Sequence, residues 1–443
     1  MTSKHEGQSF SRRIVVAPAR RTAAMQEQTR LQGAIDVATA ALGGGVATVE
    51  GVHTAIARKP FAALRLAPAV CEVSEAVRLV HNGITSLVYG GIRTAIAVTG
   101  GAARLAAALV ASEDTEPRAG SLSDLAVAAL NGFAGERLER EGNPLASTMS
   151  LRHAGRTVPL QRQALAAAFP AASPRVAVFV HGLAGNETFW RVHAHRHYRN
   201  RHTTYGSRLE ADLGYTPLYV RYNTGLHISD NGRRLARLLD RVVAEWPVPI
   251  EELVLVGHSM GGLVIRSAAH YGALLDWARR VRHLFFLGSP HLGAPLEKAA
   301  NVTAWLLGLT DITRPFAAVL NGRSGGIKDL RFGALRDEDW QGIDLDALLA
   351  NRGGDVPLPE GAAHYVIAAT VTRDPRHPVG GAGGDLLVRE ASAFGRGRLR
   401  RIQFPLENGR HFGPMHHFEL LNHPDVYEQM RCWLTGAPRN DTV

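Results

Sequence analysis

The stretch Val254-Leu255-Val256-Gly257-His258-Ser259-Met260-Gly261-Gly262-Leu263-Val264 constrains the fold more than any other part of the chain. A short apolar run stops at Gly257, and an apolar helical pattern restarts at Met260 and continues to about Tyr271. Between them stands a serine with glycine two residues away on each side. This spacing predicts a strand over Leu253 to Val256, a sharp turn at Ser259 and a helix behind it. Side chains at the glycine positions would clash in such a turn, and the serine backbone is strained. The turn lifts the hydroxyl out of the sheet. It also aims the next helix N-terminus, with its free N–H groups and positive potential, at the same point. Ser259 is therefore the candidate nucleophile.

A nucleophile of this kind needs three partners. The β-branched run Val176-Ala177-Val178-Phe179-Val180 is too short for a helix and ends in His181-Gly182-Leu183-Ala184-Gly185. A backbone N–H just after such a strand meets the N–H that follows the nucleophile. Leu183 and Met260 are the expected oxyanion donors. Tyr365 to Thr370 reads as a late core strand, followed by a Gly- and Pro-rich loop and Gly384-Asp385-Leu386-Leu387-Val388. A carboxylate beyond a late strand reaches the base and fixes its tautomer. Asp385 is the expected acid. Asp374 competes, but Thr372-Arg373-Asp374-Pro375 reads as a plain turn or an Arg373 ion pair. His411, His416, His417 and His423 all follow a strand reading over Leu399 to Phe404. His417, on the loop before a final helix, is the expected base, with His416 second. The chain order Ser259, Asp385, His417 is that of the α/β-hydrolase scaffold.

From roughly Arg175 to Leu434 the chain resembles a bacterial lipase or esterase of the α/β-hydrolase superfamily, in the branch holding PGAP1-like hydrolases and true lipases. The matching pieces are Val180-His181-Gly182-Leu183, Gly257-His258-Ser259-Met260-Gly261-Gly262 and Gly288-Ser289-Pro290-His291-Leu292-Gly293-Ala294-Pro295. To these are added Gly384-Asp385-Leu386-Leu387-Val388 with Ser392-Ala393, and His417-Phe418-Glu419-Leu420-Leu421-Asn422. The resemblance favours His417 over His416. One departure is Leu386, where glycine is common after the acid. The resemblance implies a mostly parallel, doubly wound sheet with helices on both faces, and ester hydrolysis without a cofactor. Some such lipases bind calcium near the base, but no aspartate cluster carries that over here.

Composition sets outer bounds. A chain of 443 residues, 45% hydrophobic and 20% charged, can bury a large core and hold more than one domain. Two cysteines, Cys71 and Cys432, exclude a disulfide-dense secreted scaffold. The net charge of +10 favours acidic surfaces such as anionic lipid headgroups or polyanions. No aromatic–basic motif points to nucleic acid, so no such partner is expected. Lys4, Arg12, Arg13, Arg20 and Arg21 precede no long apolar stretch, so no signal peptide is expected. Residues 1–30 read as a flexible basic arm, and a cytoplasmic location is expected.

Residues 31–140 form an Ala-rich helical region, with helix readings over Leu31 to Ala41, Ala47 to Arg58, Val70 to His81 and Ile84 to Val110. Arg93 and Arg104 interrupt the last, leaving too few apolar residues for a span of ~20. Two readings stand: peripheral, membrane-associated or self-associating helices, or a helical domain packed on itself or on the hydrolase. Residues 141–174 read as a connector with a small β element over Met149 to Val158, and 175–435 as the hydrolase domain. About 65 residues separate Pro295 from Tyr365, which predicts an inserted cap over 296–362. Its apolar core, Ala304-Trp305-Leu306-Leu307-Gly308-Leu309, reads as a lid, with Trp305 or Leu306 at the mouth of an acyl pocket. A fixed wall is the alternative. His193, His195, His197 and His202 share a helix reading with Arg191, Arg196, Arg199 and Arg201, which predicts a solvated basic face and no metal. The expected substrate is a lipid or other carboxylic ester. The same parts serve acyl transfer and thioester or polyester cleavage, and a non-catalytic lipid-binding scaffold is the reading from another class.

Overall fold

The computed structural model describes residues 119–293, 324–341, 356–377, 384–385, 387–397 and 400–437. The basic arm, the helix readings over 31–110, and Trp305 and Leu306 of the expected cap lie outside the described residues. Among the described residues, no helix is long and apolar enough to cross a membrane.

Eight strands form one sheet: β1 (Ser150–His153), β2 (Arg156–Val158), β3 (Arg175–Val180), β4 (Thr216–Arg221), β5 (Glu252–His258), β6 (Val281–Leu287), β7 (Ala363–Ala369) and β8 (Gly409–Phe412). Their spatial order is β2-β1-β4-β3-β5-β6-β7-β8. Strands β3 to β8 run parallel, while β1 pairs antiparallel with both β2 and β4. The helices are α1 (Leu122–Arg140), α2 (Arg162–Ala168), α3 (Ala194–Tyr198), α4 (Tyr205–Leu213), α5 (Ile228–Glu245), α6 (Met260–Tyr271), α7 (Gly325–Leu330), α8 (Glu390–Ala393) and α9 (Pro424–Thr435).

The period of two in β3 explains why both faces are covered. Val176, Val178 and Val180 point into one core with Leu253 and Leu255 of β5, Leu235 and Leu239 of α5, and Leu263 and Val264 of α6. Ala177 and Phe179 point into the other, with Val254 and Val256 of β5, Tyr205 and Leu209 of α4, and Tyr427 and Met430 of α9. A strand buried on both faces reads as a continuous apolar run rather than an alternation. This is the doubly wound α/β-hydrolase sheet that the sequence leads one to expect. Because β3 has β4 on one side and β5 on the other, the strand order reverses there. In open α/β sheets, ligand crevices lie at such reversals, here the carboxyl ends of β3 and β5.

One short reading is extended by the structure, and two segments differ from their sequence readings. The small β element read over Met149 to Val158 forms, and it joins the main sheet as β1 and β2. Ala154 and Gly155, both at positive φ, turn the β1–β2 hairpin, and Leu151 lies buried opposite Val220 of β4. Among the described residues 400–404 of the strand read over Leu399 to Phe404, no strand forms. Arg401 makes only an isolated bridge with Arg396, and the Ile402 N–H donates to Gly395 in a local turn. Pro405 then cannot continue a ladder, and the final strand forms later, at Gly409–Phe412. The single helix read through His193 to His202 is broken. His193 and Arg199 both take left-handed φ, so α3 spans only five residues, and Thr204 caps a new helix.

Part of the expected cap is described, residues 324–341, and it is packed down. Ile327, Leu330 and Leu335 are buried, Trp340 stacks on His227 at 3.6 Å, and its indole N–H donates to Ser229. This part is a wall against α5 and α6. If β1 belongs to the hydrolase core, Leu151→Ala should lower the unfolding free energy by about 2–5 kcal/mol in urea titrations. A linker residue would change it by less than about 0.5 kcal/mol.

Candidate active site

The crevice is built first by backbone. Ser259 sits between β5 and α6 at φ 54° and ψ −124°, a conformation that L residues rarely adopt. Its N–H donates to Leu287 at the end of β6 (2.8 Å), and its carbonyl accepts from Gly262 (3.1 Å). A side chain at Gly257 would come 2.5 Å from the Gly262 nitrogen, and one at Gly261 would overlap the Val180 carbonyl oxygen. The glycine spacing is thus a requirement of close approach. Met260 is the first residue of α6, so its N–H is one of the first-turn donors without an intrahelical acceptor.

The loop after β3 stands directly opposite. A methyl on Gly182 would lie 3.0 Å from the Ser259 Cβ. Leu183 follows, and Ala184 turns the chain at φ 57°. Two residues that sequence reasoning missed pin this loop. The Tyr222 hydroxyl donates to the His181 carbonyl (2.7 Å), and Thr224 Oγ1 accepts from the Ala184 N–H (3.1 Å). Their only signal was position, since both fall in the polar turn immediately after β4.

The acid and base lie on the other side of the serine. His417 Nδ1 donates to Asp385 Oδ2 at 2.7 Å, with both side chains buried. The other oxygen, Oδ1, accepts from the N–H groups of Leu387 (3.0 Å) and Val388 (2.7 Å), and the His417 N–H donates to the Asp385 carbonyl (3.0 Å). The carboxylate therefore meets three donors, which keeps its charge satisfied where water is excluded. His417 Nε2, the far ring nitrogen, has no hydrogen-bond partner. A methyl on Gly288, the residue after Leu287, would touch the His417 ring at 3.1 Å, which places the ring beside the strand end that holds Ser259. Asp374 is exposed and accepts from Arg376 N–H in its own turn. His416 is 40% exposed and faces Glu419. The structure brings Asp385 and His417 together and leaves both competitors outside.

The Gly288–Gly293 turn joins this assembly through Ser392. That hydroxyl donates to the Gly293 carbonyl (2.7 Å) and accepts from the Leu292 N–H (3.1 Å). Behind the site, His258 is buried and its Nε2–H donates to the His417 carbonyl (3.2 Å), with the two rings 4.6 Å apart. The histidines of the broken helix gather at the surface, His193 near His416 (5.7 Å) and His197 near His423 (4.8 Å). Among the described residues, no group of three or more His, Cys, Asp or Glu side chains is arranged to hold a metal ion.

This sheet, with a strained serine at the switch point and a buried acid–histidine pair beyond β7, defines the α/β-hydrolase class. Residues 172–314, about a third of the chain, match the PGAP1-like alpha/beta domain family. No curated protein matches. Among solved structures, the chain is similar to the Bacillus licheniformis lipase BlEst2 in its propeptide form. There the identity is 19% and the TM-score 0.41, covering 62% of this chain and 53% of that one. The mature form of the same lipase gives 19% and 0.37, covering 60% and 92%. Aspergillus fumigatus lipase B gives 10% and 0.35, covering 74% and 61%. This chain thus spans about half of the first of these proteins.

Burial holds several histidines near the site neutral. It pushes His181 and His364 each down to about 4, and it holds His258 and His291 well below the usual imidazole value. The charge of Arg266 adds to the effect on His364, and that of His417 adds to the effect on His258. These groups have depressed folded values, so the unfolded chain binds more protons below about pH 6.5. Their contribution is complete above that pH and is lost as pH falls toward the folded values. Urea unfolding free energy should therefore drop between about pH 6.5 and 4, with a slope near 1.4 kcal/mol per pH unit for each such histidine. Equal midpoints at pH 7.5 and pH 5 would show that these rings are not buried neutral.

Proposed function

We propose that the chain is a serine hydrolase of carboxylic esters, with lipid esters as the substrate class. The observation that carries this reading is the buried Asp385–His417 pair, with an unpartnered Nε2, beside a strained Ser259. In this reading the Ser259 oxygen attacks the ester carbonyl carbon and His417 Nε2 takes the hydroxyl proton. The N–H groups of Leu183 and Met260 hold the tetrahedral oxyanion. Collapse breaks the ester C–O bond, and His417 returns the proton to the leaving alcohol. Water then attacks the acyl-enzyme, gives its proton to His417 and releases the acid as Ser259 is reprotonated. Asp385 orients the imidazole and stabilises its charged form. The excess of basic residues over acidic ones supports a substrate at anionic lipid surfaces.

Hydrolysis of p-nitrophenyl esters tests the roles. Ser259→Ala should lower turnover on the order of 10⁶-fold, and Asp385→Asn about 10⁴-fold. Asp374→Asn and His416→Ala should retain turnover within about fivefold of the native chain, as surface changes do. A healthy Asp385→Asn beside a dead Asp374→Asn would move the acid to the other loop.

Sequence alone carries a second element of the proposal, that Trp305 and Leu306 line the mouth of the acyl pocket. Four large apolar side chains between Trp305 and Leu309 exceed a single helical stripe of ~100°. Replacing both Trp305 and Leu306 with serine should reduce palmitate ester turnover far more than acetate ester turnover. Equal losses on both esters, with early melting, would make the segment a wall.

A further inference from the structure

Helix α1 lies ahead of the matched domain, yet it rests on the loop that faces Ser259. At Gly132 a methyl group would come 2.9 Å from the Ala184 Cβ, 3.0 Å from its Cα and 3.2 Å from its nitrogen. Ala184 is the residue after Leu183 and is itself held at positive φ. Three residues further along α1, a side chain on Gly135 would overlap the Asn223 amide, whose Nδ2 donates to the Gly135 carbonyl (2.9 Å). The helix backbone thus seats directly on Ala184 and on the turn after β4 that carries Thr224.

A second, independent contact holds the other end of the same loop. Asp124 of α1 is buried and accepts from both terminal nitrogens of Arg221 (2.7 and 3.1 Å). It also accepts from the Asn186 amide (2.9 Å). Arg221 donates in turn to both oxygens of Glu187 (2.7 and 2.8 Å). Asn186 Oδ1 then caps the next turn by accepting from the Thr188 N–H (3.0 Å). The loop is therefore braced at Ala184 by contact and at Asn186 and Glu187 by charge, both from α1. Oxyanion stabilisation depends on donors fixed before the reaction, so the position of this loop enters the rate.

We propose that α1 is a working part of the active site, in which Gly132 and Asp124 are positioning residues that hold the 182–188 oxyanion loop in place against Ser259. This rests on the serine-hydrolase reading and assigns a role to a stretch outside the matched domain. It separates from a purely structural role because alanine is a better helix former than glycine. Gly132→Ala should therefore leave α1 at least as helical while its methyl pushes Ala184.

The test uses the full chain, with p-nitrophenyl butyrate turnover, fluorophosphonate labelling and thermal melting. Gly132→Ala should lower kcat about 10- to 100-fold, the cost of a misplacement of about 1 Å. KM should stay within about threefold, since binding made equally in ground and transition states is untouched. Melting temperature should be unchanged. Adding Ala184→Gly removes the nearest of the three atoms met and leaves the backbone free to shift at its positive φ, so it should recover part of the lost kcat. Asp124→Asn should also lower kcat more than it raises KM. Native kcat in Gly132→Ala would overturn the proposal while leaving the hydrolase reading intact. So would a loss of kcat that tracks melting temperature and is not relieved by Ala184→Gly. Failure of the native chain itself to react with the probe and the ester would instead bring down the hydrolase reading.

Discussion

The backbone of Gly261 lies so close to the end of β3 that any side chain there would overlap the Val180 carbonyl oxygen. That approach brings the first turn of α6 against the neighbouring strand and bends the chain at Ser259 into left-handed φ. The strain persists because the sheet over-determines it. Ser259 is bonded to the end of β6 on one side, and both strands that flank the crevice are buried on two faces. Three consequences follow from the one contact. Ser259 takes a strained turn, Met260 starts α6 directly behind it, and Gly182 faces the serine with room only for hydrogen.

The polar half of the site answers a different constraint. A carboxylate as buried as Asp385 is costly unless donors surround it. The chain provides two backbone N–H groups from Leu387 and Val388 and the imidazole of His417. The same bonds that satisfy the charge also fix the His417 ring, with Nδ1 engaged and Nε2 buried without a partner. Ser392 then ties the acid's loop to the turn after β6. Polar satisfaction and catalytic alignment are here one arrangement of atoms.

Local pattern made the apolar parts of this molecule legible. The run from Val176 to Val180, the glycine spacing around Ser259 and the helix to Tyr271 all appear in the structure where the sequence placed them. The plain turn read at Asp374 forms as well, while Asp385 pairs with His417. Three features were not legible. Leu399 to Phe404 has strand-like residues, but its hydrogen bonds go to a nearby turn, which apolar content does not reveal. The break at His193 and Arg199 needs two left-handed non-glycine residues, and no side-chain pattern announces them. The β element read over Met149 to Val158 forms as a hairpin, but its pairing with β4 leaves no local mark in the sequence. In each case long-range contacts decided what local propensity left open.

The central claim is that Ser259 is the single acylated group of an α/β-hydrolase site. Intact mass spectrometry of the full chain after treatment with a fluorophosphonate, followed by peptide mapping, addresses it directly. The account predicts one phosphonyl group per chain, attached to Ser259, with loss of ester turnover in proportion to its occupancy. A chain that remains unmodified, or one modified at another residue with turnover intact, would contradict it.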